Sequence, residues 1–138
     1  MGLHRESQNP DDTPFFIQEC RRKMYAAAYR GDKILATYLG RPPRIPKQYS
    51  DVKPPLDISD EMLMADGPKL QEVLSSLDET GWNPAGKSCS AAFIRLRYIM
   101  SAFREEILEL FLGAESKASD EMVYKLKLVS TFDRLYLC

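Results

Sequence analysis

Five of the nine prolines in this 138-residue chain, Pro42, Pro43, Pro46, Pro54 and Pro55, fall in one stretch between Gly40 and Ile58. Each fixes its own φ, lacks a backbone N–H and pushes the preceding residue out of the helical region. No regular helix runs through such a stretch, so a helix before it stops near Gly40 and a helix after it starts afresh. Ile45, Tyr49, Val52 and Leu56 recur through it as apolar anchors. That pattern predicts an extended connector over residues 40–58, lying across helices rather than hanging as a floppy tether.

On the N-terminal side, Thr13 as N-cap and Pro14 at the first helical position predict a long helix reaching Leu39. Phe16, Cys20, Met24, Ala27, Ala28, Leu35, Tyr38 and Leu39 fall three and four apart, one apolar stripe. Gly31 lies on that stripe, where it is expected to permit close approach of a second helix. Gly40, followed by Pro42 and Pro43, is a stop signal.

Beyond the connector, Ser59 reads as an N-cap with Asp60 and Glu61 in the first turn, where the helix dipole favours carboxylates. Pro68 restarts a short helix whose Leu70, Val73, Leu74 and Leu77 form one face. Gly81 to Gly86 reads as a loop. Ser90 to Leu112 is a long helix ended by Gly113, with Phe93, Leu96, Met100, Phe103, Ile107 and Leu110 as its expected packing seam. Ser119 opens a last predicted helix over 119–138, through Met122, Val123, Leu126, Val129 and Phe132. No segment alternates with period two, and no repeat of roughly 20–50 residues occurs. The reading is all-α: a partial bundle of four to five helices with one proline-rich connector.

Composition narrows the function classes. No apolar run approaches the ~18 residues of a membrane helix, and the first residues lack the apolar core of a signal peptide. Met1-Gly2 is not read as a myristoylation start, because position 6 is Glu6. The three cysteines, Cys20, Cys89 and Cys138, are far apart and, with His4 as the only histidine, make neither a zinc site nor a disulfide framework. A reducing compartment is expected. Residues 20–53 carry nine basic and two acidic side chains, and residues 54–90 carry two basic and seven acidic. The two stretches are read as neutralising each other across the fold rather than as a polyanion-binding stripe.

The inventory of reactive groups is thin. His4 sits at the extreme N-terminus, where a general base is poorly held. Glu105, Glu106 and Glu109 flank the expected seam of their helix and are read as a solvated face. No phosphate-cradling glycine motif occurs. Four residues stand out as a structural motif instead: Asp32, Gly40, Arg41 and Pro42. Asp32 is expected to pair with Arg41, or with another arginine such as Arg22, and so to fix the turn.

An ordered series of motifs carries a family resemblance. It runs Gly2-Leu3-His4-Arg5-Glu6, Glu19-Cys20-Arg21-Arg22-Lys23, Tyr29-Arg30-Gly31-Asp32-Lys33 and Gly40-Arg41-Pro42-Pro43-Arg44-Ile45. It continues with Pro55-Leu56-Asp57-Ile58-Ser59-Asp60-Glu61 and Arg104-Glu105-Glu106-Ile107-Leu108. Over about residues 2–112 this resembles the fungal-specific transcription factor domain, the regulatory or middle homology region of fungal binuclear zinc-cluster transcription factors. The resemblance implies a non-enzymatic, nuclear, all-α module that regulates RNA polymerase II transcription. Its implied partners are the rest of the factor or a related factor and, in some members, a small-molecule effector held between helices. The family's zinc belongs to an N-terminal six-cysteine cluster, and this chain has three cysteines. Neither zinc nor direct DNA contact is therefore carried onto any residue here, and no membrane contact is implied. The motifs enter in mid-domain, so the chain is expected to be an internal fragment, a short gene model or a truncated paralogue. A stand-alone helical interaction or dimerisation module without DNA binding is the alternative.

Overall fold

A computed structural model describes residues 2–6, 13–65, 67–85 and 89–113. Among the described residues there are four α-helices and no strand: α1 (Phe15–Leu39), α2 (Asp60–Leu63), α3 (Gly67–Ser76) and α4 (Ser90–Leu112), with a 3-10 turn at Lys47–Tyr49. The all-α expectation holds, and α4 has the predicted ends. The helix predicted over 119–138 lies outside the described residues. None of the described helices is long and apolar enough to cross a membrane.

Local chemistry sets the helix ends. Pro14, with ψ at 139°, is the residue before the first turn of α1, one place later than Thr13. Thr13 contributes its carbonyl, which accepts from Gln18 Nε2 at 2.8 Å. At the far end Gly40 adopts φ 61° and ψ 37°. Arg41 N–H returns to the Ala36 carbonyl at 3.1 Å and Gly40 N–H to that of Thr37 at 3.4 Å, a Schellman closure that needs the left-handed residue. Ser59 caps α2, its Oγ accepting from the Met62 N–H. In α3 the half-buried positions are Leu70, Val73, Leu74 and, just past its end, Leu77, the face read from their spacing. Gly81, at φ 89°, opens the loop before α4, and a Cβ there would stand 2.7 Å from Leu56 Cδ2.

α1 packs along α4, and the centre of the contact is aromatic. Tyr25, Ala26, Tyr29, Val52 and Tyr98 form the buried cluster, with Leu3, Ile45 and Ile94 against it. The three tyrosine rings lie 5.2–6.2 Å apart, within the range of favourable ring pairs. Burial pushes the Tyr98 phenol up to about 12.

Two sequence expectations are corrected by this packing. The apolar stripe read on α1 is not its buried face: Met24 is 61% exposed and Tyr38 87%, while Tyr29 and Lys33 on the opposite side are fully buried. Gly31 therefore faces open space, with nothing within 4 Å of the position of a Cβ. On α4 the expected seam keeps only Ile107 buried; Phe93, Phe103 and Leu110 are exposed, and Ala91, Arg95, Tyr98, Ser101, Glu105 and Leu108 face inward. Periodicity locates an apolar face but does not say which face finds a partner within the described fold.

The proline-rich connector is what selects the inner face. It is extended apart from its 3-10 turn, crosses the α1–α4 pair, and buries Val52, Pro55 and Ile58. Ile45 and Leu56 are half-buried, and Tyr49 points to solvent. An extended chain with no neighbouring strand has no ladder for its N–H and C=O groups, yet burial requires each to find a partner. Most of the partners are polar side chains of α1 and α4, joined by Glu6 of the N-terminal turn and the Gly81 carbonyl.

Candidate functional site

The first group of these side chains sits where α1 turns into the connector. After the Gly40 turn the chain doubles back, and the Asp32 carboxylate accepts the Arg44 N–H at 3.0 Å and the Ile45 N–H at 2.9 Å. Lys33, the next residue, is fully buried and donates to Asp32 Oδ2 at 3.1 Å, to Glu105 Oε2 at 3.1 Å and to the Ile45 carbonyl. Its ammonium also stands 4.1 Å from the Tyr29 ring centroid. Glu105 completes the group from α4: it accepts the Tyr29 O–H at 2.5 Å and the Lys47 N–H at 2.8 Å. One carboxylate thereby ties α4 to α1 and to the connector.

The electrostatics follow from this geometry. Burial works against the charge on Asp32, but the Ile45 and Arg44 N–H groups and the Lys33 ammonium outweigh it and hold the carboxyl below its usual range. Burial, followed by the bond to Glu105, raises the Tyr29 phenol far above a free tyrosine. Removing Lys33 leaves the Glu105 charge buried without a counter-ion, and removing Glu105 leaves Lys33 with Asp32 alone.

A second group lies at the other end of the connector. Glu19, fully buried, accepts the Leu56 N–H at 2.7 Å and pairs with Arg22 at 3.1 Å. Arg22 also grips Glu6 through two bonds, at 2.8 and 3.1 Å, and Glu6 accepts the Lys53 N–H at 2.9 Å. Arg95 reaches in from α4 to the Pro55 carbonyl at 2.6 Å and to the Thr80 carbonyl, with its guanidinium 4.9 Å from the Trp82 ring. Asp57 accepts the Asn83 N–H at 3.1 Å and the Cys89 thiol at 3.1 Å. Burial and that carboxylate push the thiol's pKa up, away from a reactive thiolate.

The sequence-selected residues divide between these features. Gly40 makes the turn, and Asp32 braces it. Arg41 is half-buried with Nε unpartnered, and Pro42 lies exposed on the turn's outer side. The expected Asp32–arginine pairing is corrected: Asp32 serves two backbone N–H groups and Lys33, while Arg22 is held by Glu6 and Glu19. Backbone donors fixed 12 and 13 residues along the chain meet the carboxylate at once, which a flexible guanidinium does less readily. Glu105 is also corrected. It is 4% exposed rather than on a solvated face, whereas Glu106 and Glu109 are exposed. Tyr29, Lys33, Glu19 and Arg95 were missed as well. For the three on α1 the signal was a second helical stripe, Glu19, Arg22, Tyr25, Tyr29, Lys33 and Ala36, made of residues whose stems pack while their tips bond.

What the arrangement can do is hold. Tyr29, Lys33 and Glu105 spend their polar atoms on one another and on the connector. They line neither the cleft beside the N-terminal turn nor the one beside Arg95. The described residues do not fit a zinc cluster: no group of three His, Cys, Asp or Glu side chains among them is placed to hold a metal ion. Fold and site together define a helical scaffold whose extended connector is clamped by buried charge.

A family model, that of the fungal specific transcription factor domain, matches residues 1–135. The chain belongs to that family, and the match runs past the 2–112 over which the motifs are recognised. The family is one of transcription factor regulatory domains and in general not one of enzymes. No curated protein and no solved structure matches the chain.

Proposed function

We propose that this chain is a non-enzymatic regulatory module of a fungal transcription factor, working in the nucleus by packing against other helical parts of the factor. Sequence-specific DNA contact and the zinc it needs are supplied outside these residues. The observation that carries this reading is the pair of apolar outer faces. Phe16, Met24 and Leu35 on α1 and Phe93, Phe103 and Phe111 on α4 are all exposed. Several large apolar side chains exposed along one helix mark a candidate site of protein contact. The charge-clamped interior keeps the two helices in register, so a segment docking outside meets a fixed surface.

A reporter fusion tests this. The chain is placed between a heterologous DNA-binding head and an activation region, and output is compared with that of a fusion lacking it. Restraint of the reporter, relieved by Leu35→Asp with Phe103→Asp, is the expected result. Equal output from all three fusions would sink the reading. Sedimentation of the chain alone decides the stand-alone alternative: a stable dimer dissolved by the same substitutions would favour it.

A further inference from the structure

We infer that the cleft between the N-terminal turn, α1 and the connector is a binding site for a small aromatic carboxylate. The cleft has a volume of about 400 Å³, towards the small end of small-molecule sites. Leu3, Ala28 and Ile45 make apolar walls, and Tyr25 makes the floor. The Tyr25 hydroxyl is buried, and beside it lies the Ser50 hydroxyl, which donates to the His4 carbonyl at 3.0 Å. The floor ring stacks on Tyr29 and packs tilted against Tyr98.

Among the described residues that line the cleft, Arg44 is the charged one and none is a carboxylate. Asp32 is occupied by the Arg44 and Ile45 N–H groups. It thereby anchors the backbone from which the Arg44 side chain leaves. A guanidinium with no carboxylate partner among the described residues, beside aromatic and aliphatic walls, suits a flat apolar body ending in a planar anion, which arginine binds through two parallel bonds. A phosphate would waste the walls, and a neutral hydrocarbon would waste the arginine.

The effector role of this cleft rests on the regulatory reading, but binding itself does not. Titrating the full chain with 2-naphthoate, followed through the amide resonances of Arg44 and Ile45, therefore stands apart from the reporter test. Saturable binding with a Kd of about 1 mM or tighter is expected for a probe of about 13 non-hydrogen atoms. Arg44→Gln, at an exposed position, is expected to weaken it about tenfold, and the neutral 2-naphthamide to bind about tenfold more weakly. Ala28→Trp, which fills the cleft from an exposed helix position, should abolish it, and Leu35→Asp on the outer face should leave it unchanged. Absence of saturable binding overturns the inference. So does equal affinity for acid and amide, indifference to Arg44→Gln, or loss of binding on Leu35→Asp.

Discussion

The inner faces of α1 and α4 hold charge among their alanines, Ile107 and Leu108, while large apolar side chains stand on the outer faces. Inside lie Glu19, Lys33, Arg95 and Glu105 with three tyrosines; outside lie Phe16, Met24, Leu35, Phe93 and Phe103. A helix pair meeting only its partner would do the reverse, since burying charge is costly and burying hydrocarbon is favourable. The inner face differs because it has a second client. The connector presents the N–H groups of Arg44, Ile45, Lys47, Lys53 and Leu56 and the carbonyls of Ile45 and Pro55, and each is met by a side chain. Polar burial here substitutes for a missing strand ladder, and the apolar outer faces are left for something other than the described residues.

The largest effect that could break this contrast is at Glu105. Glu105→Ala should cost about 3 kcal/mol or more in urea denaturation, because the buried Lys33 keeps only Asp32 as counter-charge and the Tyr29 hydroxyl and Lys47 N–H lose their acceptor. The double change Lys33→Met with Glu105→Leu sharpens the contrast. In a simple buried pair it would restore stability; here the Lys47 N–H and Ile45 carbonyl stay unpaired, so a deficit of at least about 1 kcal/mol should persist. Full recovery would mean that the connector does not need these charges.

Next in size is the corner itself. Gly40→Ala should cost about 1–2 kcal/mol by the same measurement, the penalty of a side chain in the left-handed region. An effect near zero would separate the corner from the latch.

A smaller, pH-dependent effect probes the carboxylates of both clamps. Asp32 and Glu6 are held below their ordinary range in the fold. Their contribution is complete above the unfolded values near about pH 4 and is lost as pH falls through the lower folded values. Denaturation midpoints should stay level from neutral pH to about pH 5 and decline below about pH 4, with a shallower decline in Asp32→Asn. A decline starting near neutrality would contradict the assignment.

The smallest effect belongs to the outer faces. Leu35→Asp and Phe103→Asp should change the stability of the isolated chain by no more than about 0.5 kcal/mol, as surface substitutions do. A cost equal to that at Glu105 would erase the distinction between inside and outside.

Much of the frame was legible because its signals are local. Ser90 and Gly113 bracket α4, Ser59 caps α2, Gly40 ends α1 and the proline run forbids a helix, each acting within a few residues of itself. The clamp was not legible for the converse reason. Glu105 meets Tyr29, which lies 76 residues earlier, and Leu56 meets Glu19 across 37. No spacing rule relates partners drawn together only when two helices and a connector pack. Even the second stripe on α1 marks its residues as able to bury their stems without saying that they do.

The amino-acid order alone therefore determined where helices begin and stop, and that the segment between them must be extended. Those choices depend on backbone dihedrals and caps, which are decided within a turn. Which face of each helix turns inward was decided only in the assembled fold. An extended connector must find hydrogen-bond partners, and the face that could supply them was the one with charges and tyrosines rather than the more apolar one.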